Sequence, residues 1–488
     1  MIQSNQLVYA APQFEVLSES GREQIYSAAL EILERTGIRV SHDEGLSVLK
    51  EAGARVDEST GVAYIPSYLV EKALATTPRK ALIYDRNGEP ALRLEGAHYY
   101  YGTGSECVNI LDSYTGEARK FTRADVGKAG LLVDSLPNID FLMSMGIIWD
   151  EPVHVADLIQ FQEMVFNTTK PIVFTCYDRR GNEDIYKMAS IAAGGEEQFR
   201  AKPFIVHYIE PSSPLDASKE AVDKLIFSAK HGIPSIYTPC TCAGSTSPAT
   251  LAGSVAQALA ESFSGIVMAQ HIQPGAPIIV GGVISAMDMK TTAFLYGGPD
   301  FQLMTTAIME MARYLDLPAY GTAGCTDSKV VDEQAAIEAM FSIALQALAG
   351  GNLIHDVGYI GSGLIGSYDQ LVMSDEIIGM TKRFMRGIDF DEEHLAVDVI
   401  HKVGPRGNFL SEPHTMKHFK TEHWYPDLLD RQNYDKWSAD GSKDMGQRVN
   451  EKVRHLLETH QPEPLEESKQ QEINRLIESE STSREVKY

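Results

Sequence analysis

Ser235-Ile-Tyr-Thr238, then Ser247 to Met268, then Pro277-Ile-Ile-Val280 reads as a short β-rich run, a stretch rich in Ala, Leu, Glu and Gln with apolar residues repeating near 3.6, and a second β-rich run. That is a strand, a helix and the next strand, and the same texture continues in both directions. Upstream lie Met143-Ser-Met-Gly-Ile-Ile-Trp149, Ile172-Val-Phe-Thr-Cys-Tyr177 and Phe204-Ile-Val-His-Tyr-Ile209; downstream lie Leu317-Pro-Ala-Tyr320 and Asn352-Leu-Ile-His-Asp356, with another such helix from Asp332 to Ala349. The starts fall at 143, 172, 204, 235, 277, 317 and 352, in steps of 29 to 42 residues, the length of one βα unit with its loops. This repetition predicts an α/β protein built on a (β/α)8 TIM-type barrel. An open doubly wound sheet is the alternative, because spacing does not give strand order. For the eighth strand, His98-Tyr-Tyr-Tyr-Gly102 competes with a segment near His401.

The flanks differ in character. Residues 1–95 read as an N-terminal α/β cap: a helix from Ser20 to Thr36 opened by the capping-box spacing Ser20-Gly-Arg-Glu23, a helix from His42 to Ala52, a strand at Val62 to Ile65, a helix from Ser67 to Thr76 and a strand at Ala81 to Tyr84. Residues 96–375 form the predicted barrel, and residues 376–488 a helical extension. In it Met445, Val449, Val453 and Leu456-Leu457 mark one packed face, and Gln461 to Tyr488 reads as a charged peripheral arm.

Composition excludes several classes. The chain has 488 residues, 43% hydrophobic and 23% charged, so a packed globular core is expected. A net charge of −24 makes nucleic acid and anionic membrane poor partners and favours a small cation or a basic protein patch. Met1 to Pro12 lacks the basic and apolar regions of an export signal. The longest near-apolar stretch, Gly275 to Met287, has thirteen residues, too few for a membrane span, which needs roughly 20. Five scattered cysteines do not suggest a disulfide framework, and a cytoplasmic setting is expected.

The predicted strand ends carry aromatics and carboxylates together: Tyr101-Gly-Thr-Gly-Ser-Glu106, Trp149-Asp-Glu151, Cys176-Tyr-Asp178, His207-Tyr-Ile-Glu210, Tyr237-Thr-Pro-Cys240, Tyr320-Gly-Thr322 and His355-Asp-Val-Gly-Tyr359. Converging at one barrel mouth, such a set holds a desolvated organic cation by cation–π attraction. Packing is the plainer reading of any single tyrosine; the recurrence favours a site. Tyr101, Tyr177, Tyr237 and Tyr359 are the expected cage, Glu210 and Asp327 the carboxylates, and His207 and His355 the donors. Cys240-x-Cys242 with Cys325 offers a thiolate zinc alternative without the second regular pair of a zinc motif. His414 and His418 lack the intervening Glu of a metalloprotease and read as surface or packing residues. Gly361-Ser-Gly-Leu-Ile-Gly366 has dinucleotide spacing but arises late in the series. Its Gly361, Ser362 and Gly363 are expected to accept an anion, such as a substrate carboxylate or a phosphate, with a plain tight turn as the alternative.

Four segments carry a family likeness: Ile32-Leu-Glu-Arg-Thr-Gly-Ile-Arg39, Gly324-Cys-Thr-Asp-Ser-Lys-Val-Val-Asp-Glu-Gln334, His355-Asp-Val-Gly-Tyr-Ile-Gly-Ser-Gly363 leading to Ser374-Asp-Glu-Ile-Ile-Gly379, and Gly407-Asn-Phe-Leu-Ser-Glu-Pro-His414. Over nearly its whole length the chain resembles the trimethylamine methyltransferase family, specifically the non-pyrrolysine branch that includes glycine betaine:corrinoid methyltransferases. The resemblance implies a (β/α)8 barrel and methyl transfer from an amine to the cobalt of a separate corrinoid protein. No cofactor bound by the chain itself, no metal and no covalent catalyst are implied, only positioning. Members acting on trimethylamine carry pyrrolysine in the barrel; none stands here, so the implied substrate is a quaternary amine, with glycine betaine foremost. A zinc-thiolate methyltransferase and a non-catalytic betaine-binding protein are the rival readings. Barrels of this size often pair, so a homo-oligomer is expected.

Overall fold

The computed structural model describes residues 14–485, so the segment Met1 to Pro12 lies outside the described residues. Seven short strands carry the fold: β1 (Tyr100–Tyr101), β2 (Ile172–Phe174), β3 (Ile205–Ile209), β4 (Ser235–Tyr237), β5 (Ile278–Gly281), β6 (Ala319–Thr322) and β7 (Leu353–His355). Each is parallel to its neighbours, in the order β1-β7-β6-β5-β4-β3-β2. The ends of this sheet meet through Phe141 and Leu142, which form single parallel bridges to Gly102 and to Ile172. Eight rungs therefore close a ring, and the open doubly wound alternative is overturned.

Each rung is followed by a helix lying outside the ring: Arg123–Ser135, Ala156–Asn167, Arg179–Ala193, Lys219–His231, Leu251–Ile272, Pro299–Tyr314, Glu333–Ala349 and Tyr368–Met385. The (β/α)8 expectation is borne out, and the last helix runs across residue 375. Of the two contenders for the eighth strand, His98 to Gly102 is correct, since the region near His401 is the helix Val397–Val403. The Met143 run is corrected as well. Its ladder is broken because Met143 exchanges hydrogen bonds with the Thr103 hydroxyl instead of a backbone neighbour, and Met145 turns to φ 66°.

Inside the ring, Tyr100, Phe141, Met143, Val173, Val206, Ile236, Ile279, Tyr320 and Leu353 fill the barrel, as alternate residues of strands must. Ile83, Leu92 and Leu94 join them from the hairpin Ala81–Tyr84/Pro90–Leu94. This hairpin stoppers the N-terminal end of the barrel. The N-terminal helix spans Glu19–Glu31, continued by a wider turn over Ile32–Thr36. Its cap is Ser18, which accepts from Gly21 N, two residues ahead of the predicted Ser20.

Leu251–Ile272 is long and apolar enough to cross a membrane, so the expectation that no segment reaches that length is corrected. It is instead enclosed between the strands and the N-terminal helices, which removes the need for a polar face. The predicted peripheral arm is corrected too. Its helix Glu467–Glu485 docks, with Ile473 and Ile477 in the core and Arg484 buried against the barrel helices. The partly buried Leu476, and hydrogen bonds from Gln162 to Asn474 and from Arg180 to Glu480, help to seat it.

Candidate functional site

Strand alternation sorts the expected residues. On β3, Val206, Tyr208 and Glu210 point into the barrel, so His207 between them points out. Its Nδ1 lies 2.8 Å from Ser228 Oγ, its Nε2 3.4 Å from Cys176 Sγ, and its ring stacks on Phe174. Tyr237 follows the inward Ile236 and packs outward against Gly265, where even a Cβ would meet its ring at 2.2 Å. Tyr101 follows the inward Tyr100 and donates its hydroxyl to Ile343 O at 2.7 Å in the helix layer. Tyr101, His207 and Tyr237 are therefore corrected from site residues to packing residues.

At the C-terminal ends of the strands lies a cavity of about 360 Å³. Tyr177, Tyr208 and Tyr296 give it aromatic faces; Glu106, Asp157 and Glu210 give it acids; Cys176 and Cys240 complete part of the wall. None of the described residues lining it is Lys, Arg or His. Tyr208 donates its hydroxyl to Glu210 Oε2 at 2.6 Å. Glu106 and Glu210 keep accessible surface because they face the cavity, yet protein surrounds them at depth and disfavours their charged forms. Burial pushes the Glu210 carboxyl up to about 7 and Asp157 up to about 6, the latter despite the nearby Arg484.

Below Glu106 sit His355, Asp356 and Tyr359. Tyr359 Oη accepts from Glu106 N at 3.0 Å and donates to Glu106 Oε2 at 3.2 Å. His355 is buried among Tyr320 and Tyr208, with ring centroids 4.5 and 6.0 Å away. Burial lowers its imidazole to about 3, so the ring is neutral. Burial first, and the charge of Glu106 second, raise Asp356 far above the usual carboxylate range. Tyr359 and His355 thus stand in the layer beneath the cavity.

Asp327 and the glycine loop do not reach the cavity; they hold one of its walls. Asp327 accepts from Tyr296 N (3.0 Å), Gly297 N (2.9 Å) and the Ser362 hydroxyl (2.8 Å). Gly363 lies against the Tyr296 ring, where a Cβ would approach within 3.0 Å. Gly361 N and Ser362 N already donate to Ser328 O and Thr326 O. The anion cradle expected at Gly361, Ser362 and Gly363 is corrected to a hairpin turn between Tyr359–Ile360 and Ile365–Ser367. The helix after it is capped by the Ser367 side chain.

All five cysteines are free thiols. Among the described residues, two side-chain groups have metal-ligand spacing: Glu106, His355 and Asp356, and the half-buried His394, His418 and Glu422. Neither contains Cys240, Cys242 or Cys325. In the second group His394 pairs with Asp391 at 2.7 Å and His418 with Glu393 at 2.8 Å, as packing or surface histidines do.

Residue choice alone passed over Tyr208, Tyr296, Glu106, Asp157 and Asp356. Two of them carried a usable signal: Tyr208 shares its strand face with Glu210, and Glu106 ends the loop that follows β1.

The fold is that of a (β/α)8 barrel, with a cavity walled by tyrosines and acids at the C-terminal ends of its strands. The chain belongs to the trimethylamine methyltransferase (MTTB) family, whose model matches residues 1–484. It is 36% identical over 407 residues to the trimethylamine methyltransferase MttB of Desulfitobacterium hafniense strain DCB-2, covering 83% of this chain and 82% of that one. It is 32% identical over 410 residues to the glycine betaine methyltransferase of D. hafniense strain Y51, covering 83% and 84%. Among solved structures, the monomethylamine methyltransferase MtmB of Methanosarcina barkeri matches with a TM-score of 0.53 at 10% identity, over 91% of this chain and 88% of that one, a likeness of fold. The chemistry of the family is methyl transfer.

Proposed function

We propose that the protein removes a methyl group from a quaternary amine, foremost glycine betaine, and passes it to the reduced corrinoid of a separate protein, leaving a tertiary amine. The observation that carries this reading is the lining of the cavity: tyrosine faces and carboxylates, with no basic side chain among the described lining residues. A quaternary nitrogen has no hydrogen to donate, so it is held by ring faces and charge rather than by hydrogen bonds. Tyr177, Tyr208 and Tyr296 would supply the faces, Glu210 and Asp157 the charge. The corrinoid would supply the nucleophile.

The task left to the chain is to strip water and aim one methyl outward. As the methyl carbon bonds to the acceptor, its bond to nitrogen breaks and both electrons stay on nitrogen. The positive charge leaves the amine in that step. A cage made only of ionised carboxylates would hold the substrate more tightly than the transition state and slow transfer. Aromatic faces, with acids whose charge is weakened by burial, suit a charge that must be given up. Five free thiols support a reducing, cytoplasmic setting.

The test is spectroscopic. Purified protein is mixed with chemically reduced cobalamin and, in turn, glycine betaine, carnitine, choline, proline betaine and trimethylamine, and the conversion of cobalamin to its methylated form is followed by visible absorbance. Conversion with one quaternary amine is expected. Silence across the panel, with betaine binding measurable and candidate corrinoid proteins also tried, would leave a binding protein.

A further inference from the structure

We propose that Glu106, His355 and Asp356 bind one divalent metal ion, of the zinc or manganese class, in the floor of the cavity. One ligand atom from each residue lies within 4.8 Å of the other two, and ligands about 2.1 Å from a shared ion stand at most about 4.2 Å apart, so only a slight closing is needed.

The tautomer of His355 is the first argument. Its Nδ1 lies 2.9 Å from Gly321 O, which can only accept, so Nδ1 carries the ring proton. The other nitrogen, Nε2, then presents a lone pair. Metal-bound histidines are oriented in this way, the far nitrogen donating to a carbonyl or carboxylate. The Nε2 lone pair faces Asp356 Oδ1 at 3.2 Å. Either a proton on Asp356, which burial favours, or a cation must answer that contact, and a bound ion would displace the proton.

Asp356 supplies the second argument. It is fully buried, and its carboxyl meets the Glu106 carboxyl and the His355 ring without a well-formed hydrogen bond to either, a state that native structures rarely leave unanswered. Its backbone is held at φ 71°, in the left-handed region that non-glycine residues avoid. Facing it, Gly104 has no side chain, and a Cβ there would stand 2.1 Å from Asp356 Oδ1. A left-handed backbone on one side and a bare α-carbon on the other leave this oxygen its place.

Charge and access complete the case. On giving up the protons that burial favours, Glu106 and Asp356 would offer two negative charges, and the neutral imidazole a lone pair, to a divalent ion. Glu106 opens on the cavity while His355 and Asp356 are buried, so the ion would keep coordination positions toward a bound substrate. A betaine carboxylate meets no basic side chain among the described lining residues. The ion would receive it, while the tyrosines hold the ammonium end. That role rests on the methyl-transfer reading above; the metal site does not.

The experiment loads full-length, chelator-stripped protein with Zn2+, and separately with Mn2+, and measures bound metal by mass spectrometry. About one ion per chain is expected, with D356N and H355Q each weakening affinity roughly tenfold or more and circular dichroism unchanged. X-ray absorption of the zinc-loaded wild type needs no variant to fold, and should show one imidazole with oxygen ligands. Substoichiometric metal on the folded wild type would overturn the site in favour of a shared proton, and sulfur scattering would overturn it in favour of Cys240. Betaine should bind at least tenfold more weakly to stripped than to loaded protein, on the order of the loss of one charged contact, while tetramethylammonium is unaffected; equal betaine affinities would overturn the carboxylate role. Metal content is read without turnover, so failure of methyl transfer and failure of the metal site are told apart.

Discussion

Glu210 takes the Tyr208 hydroxyl on one oxygen and faces the cavity with the rest of its carboxylate, so its proton is the one a bound cation competes with most directly. Burial raises its carboxyl from 4.5 to about 7. Ionised Glu210 attracts a cation and protonated Glu210 does not, so amine affinity should rise as pH increases through about 7. Glu210→Gln should flatten that rise and lower the affinity at high pH by roughly fivefold, about 1 kcal/mol; calorimetric titration across pH checks both. Stability has the opposite sign. A carboxyl raised in the folded chain stabilises fully below its unfolded value of 4.5, and this contribution is lost as pH rises through about 7. The melting temperature of the amine-free protein should therefore fall less steeply over that interval in Glu210→Gln than in wild type. At Gly104 a single methyl is decisive, since it would stand 2.1 Å from Asp356 Oδ1 and 2.2 Å from Tyr359 Oη. Gly104→Ala should lower stability by about 1–3 kcal/mol in a denaturant titration, as overpacking does, and displace Asp356 from Glu106.

The C-terminal helix Glu467–Glu485 reaches the cavity wall through one residue. Arg484 pairs with Asp184 at 2.8 Å, donates to His154 O at 2.8 Å and stands 4.0 Å from Asp157 Oδ1. It acts as a positioning residue, holding down the proton affinity of an acid that burial has raised to about 6. Arg484→Met should raise the Asp157 carboxyl further and move the acid limb of amine binding to higher pH. Ile473 and Ile477 keep the helix seated; a purely structural role would instead lower the melting temperature and leave the limb in place. This helix was hidden in the sequence because its exposed charges outnumber its two buried apolar residues. The barrel elements were legible for the opposite reason: a βα unit has a narrow range of lengths, and Ile205 to Ile209 or Ile278 to Gly281 are too apolar and too short for anything but buried strands. Parity was not legible. Tyr100 and Tyr101, or His207 and Tyr208, suit a strand end equally well, and only the ring closure decides which of each pair faces inward. The glycine loop misled through its spacing, because the φ values above +50° at Gly361, Ser362 and Gly363 serve a hairpin as well as they would an anion cradle.

At the scale of the whole molecule, the net charge of −24 bears on the acceptor rather than the amine. Steering by so large a field is screened by salt. Methyl transfer to a protein-borne acceptor with a basic face should slow markedly as ionic strength rises, while transfer to free cobalamin should change little; parallel stopped-flow series in both acceptors would reveal the difference. The hairpin Ala81–Tyr84/Pro90–Leu94 has a consequence of another kind. By plugging the barrel from beneath it turns the cavity into a cul-de-sac. On the proposed reaction, incoming amine, departing demethylated amine and the methyl acceptor would all approach the cavity from the same end of the barrel. Turnover would then be a matter of queueing: amine would enter before the acceptor takes its stand, and the spent amine would wait until the acceptor steps back.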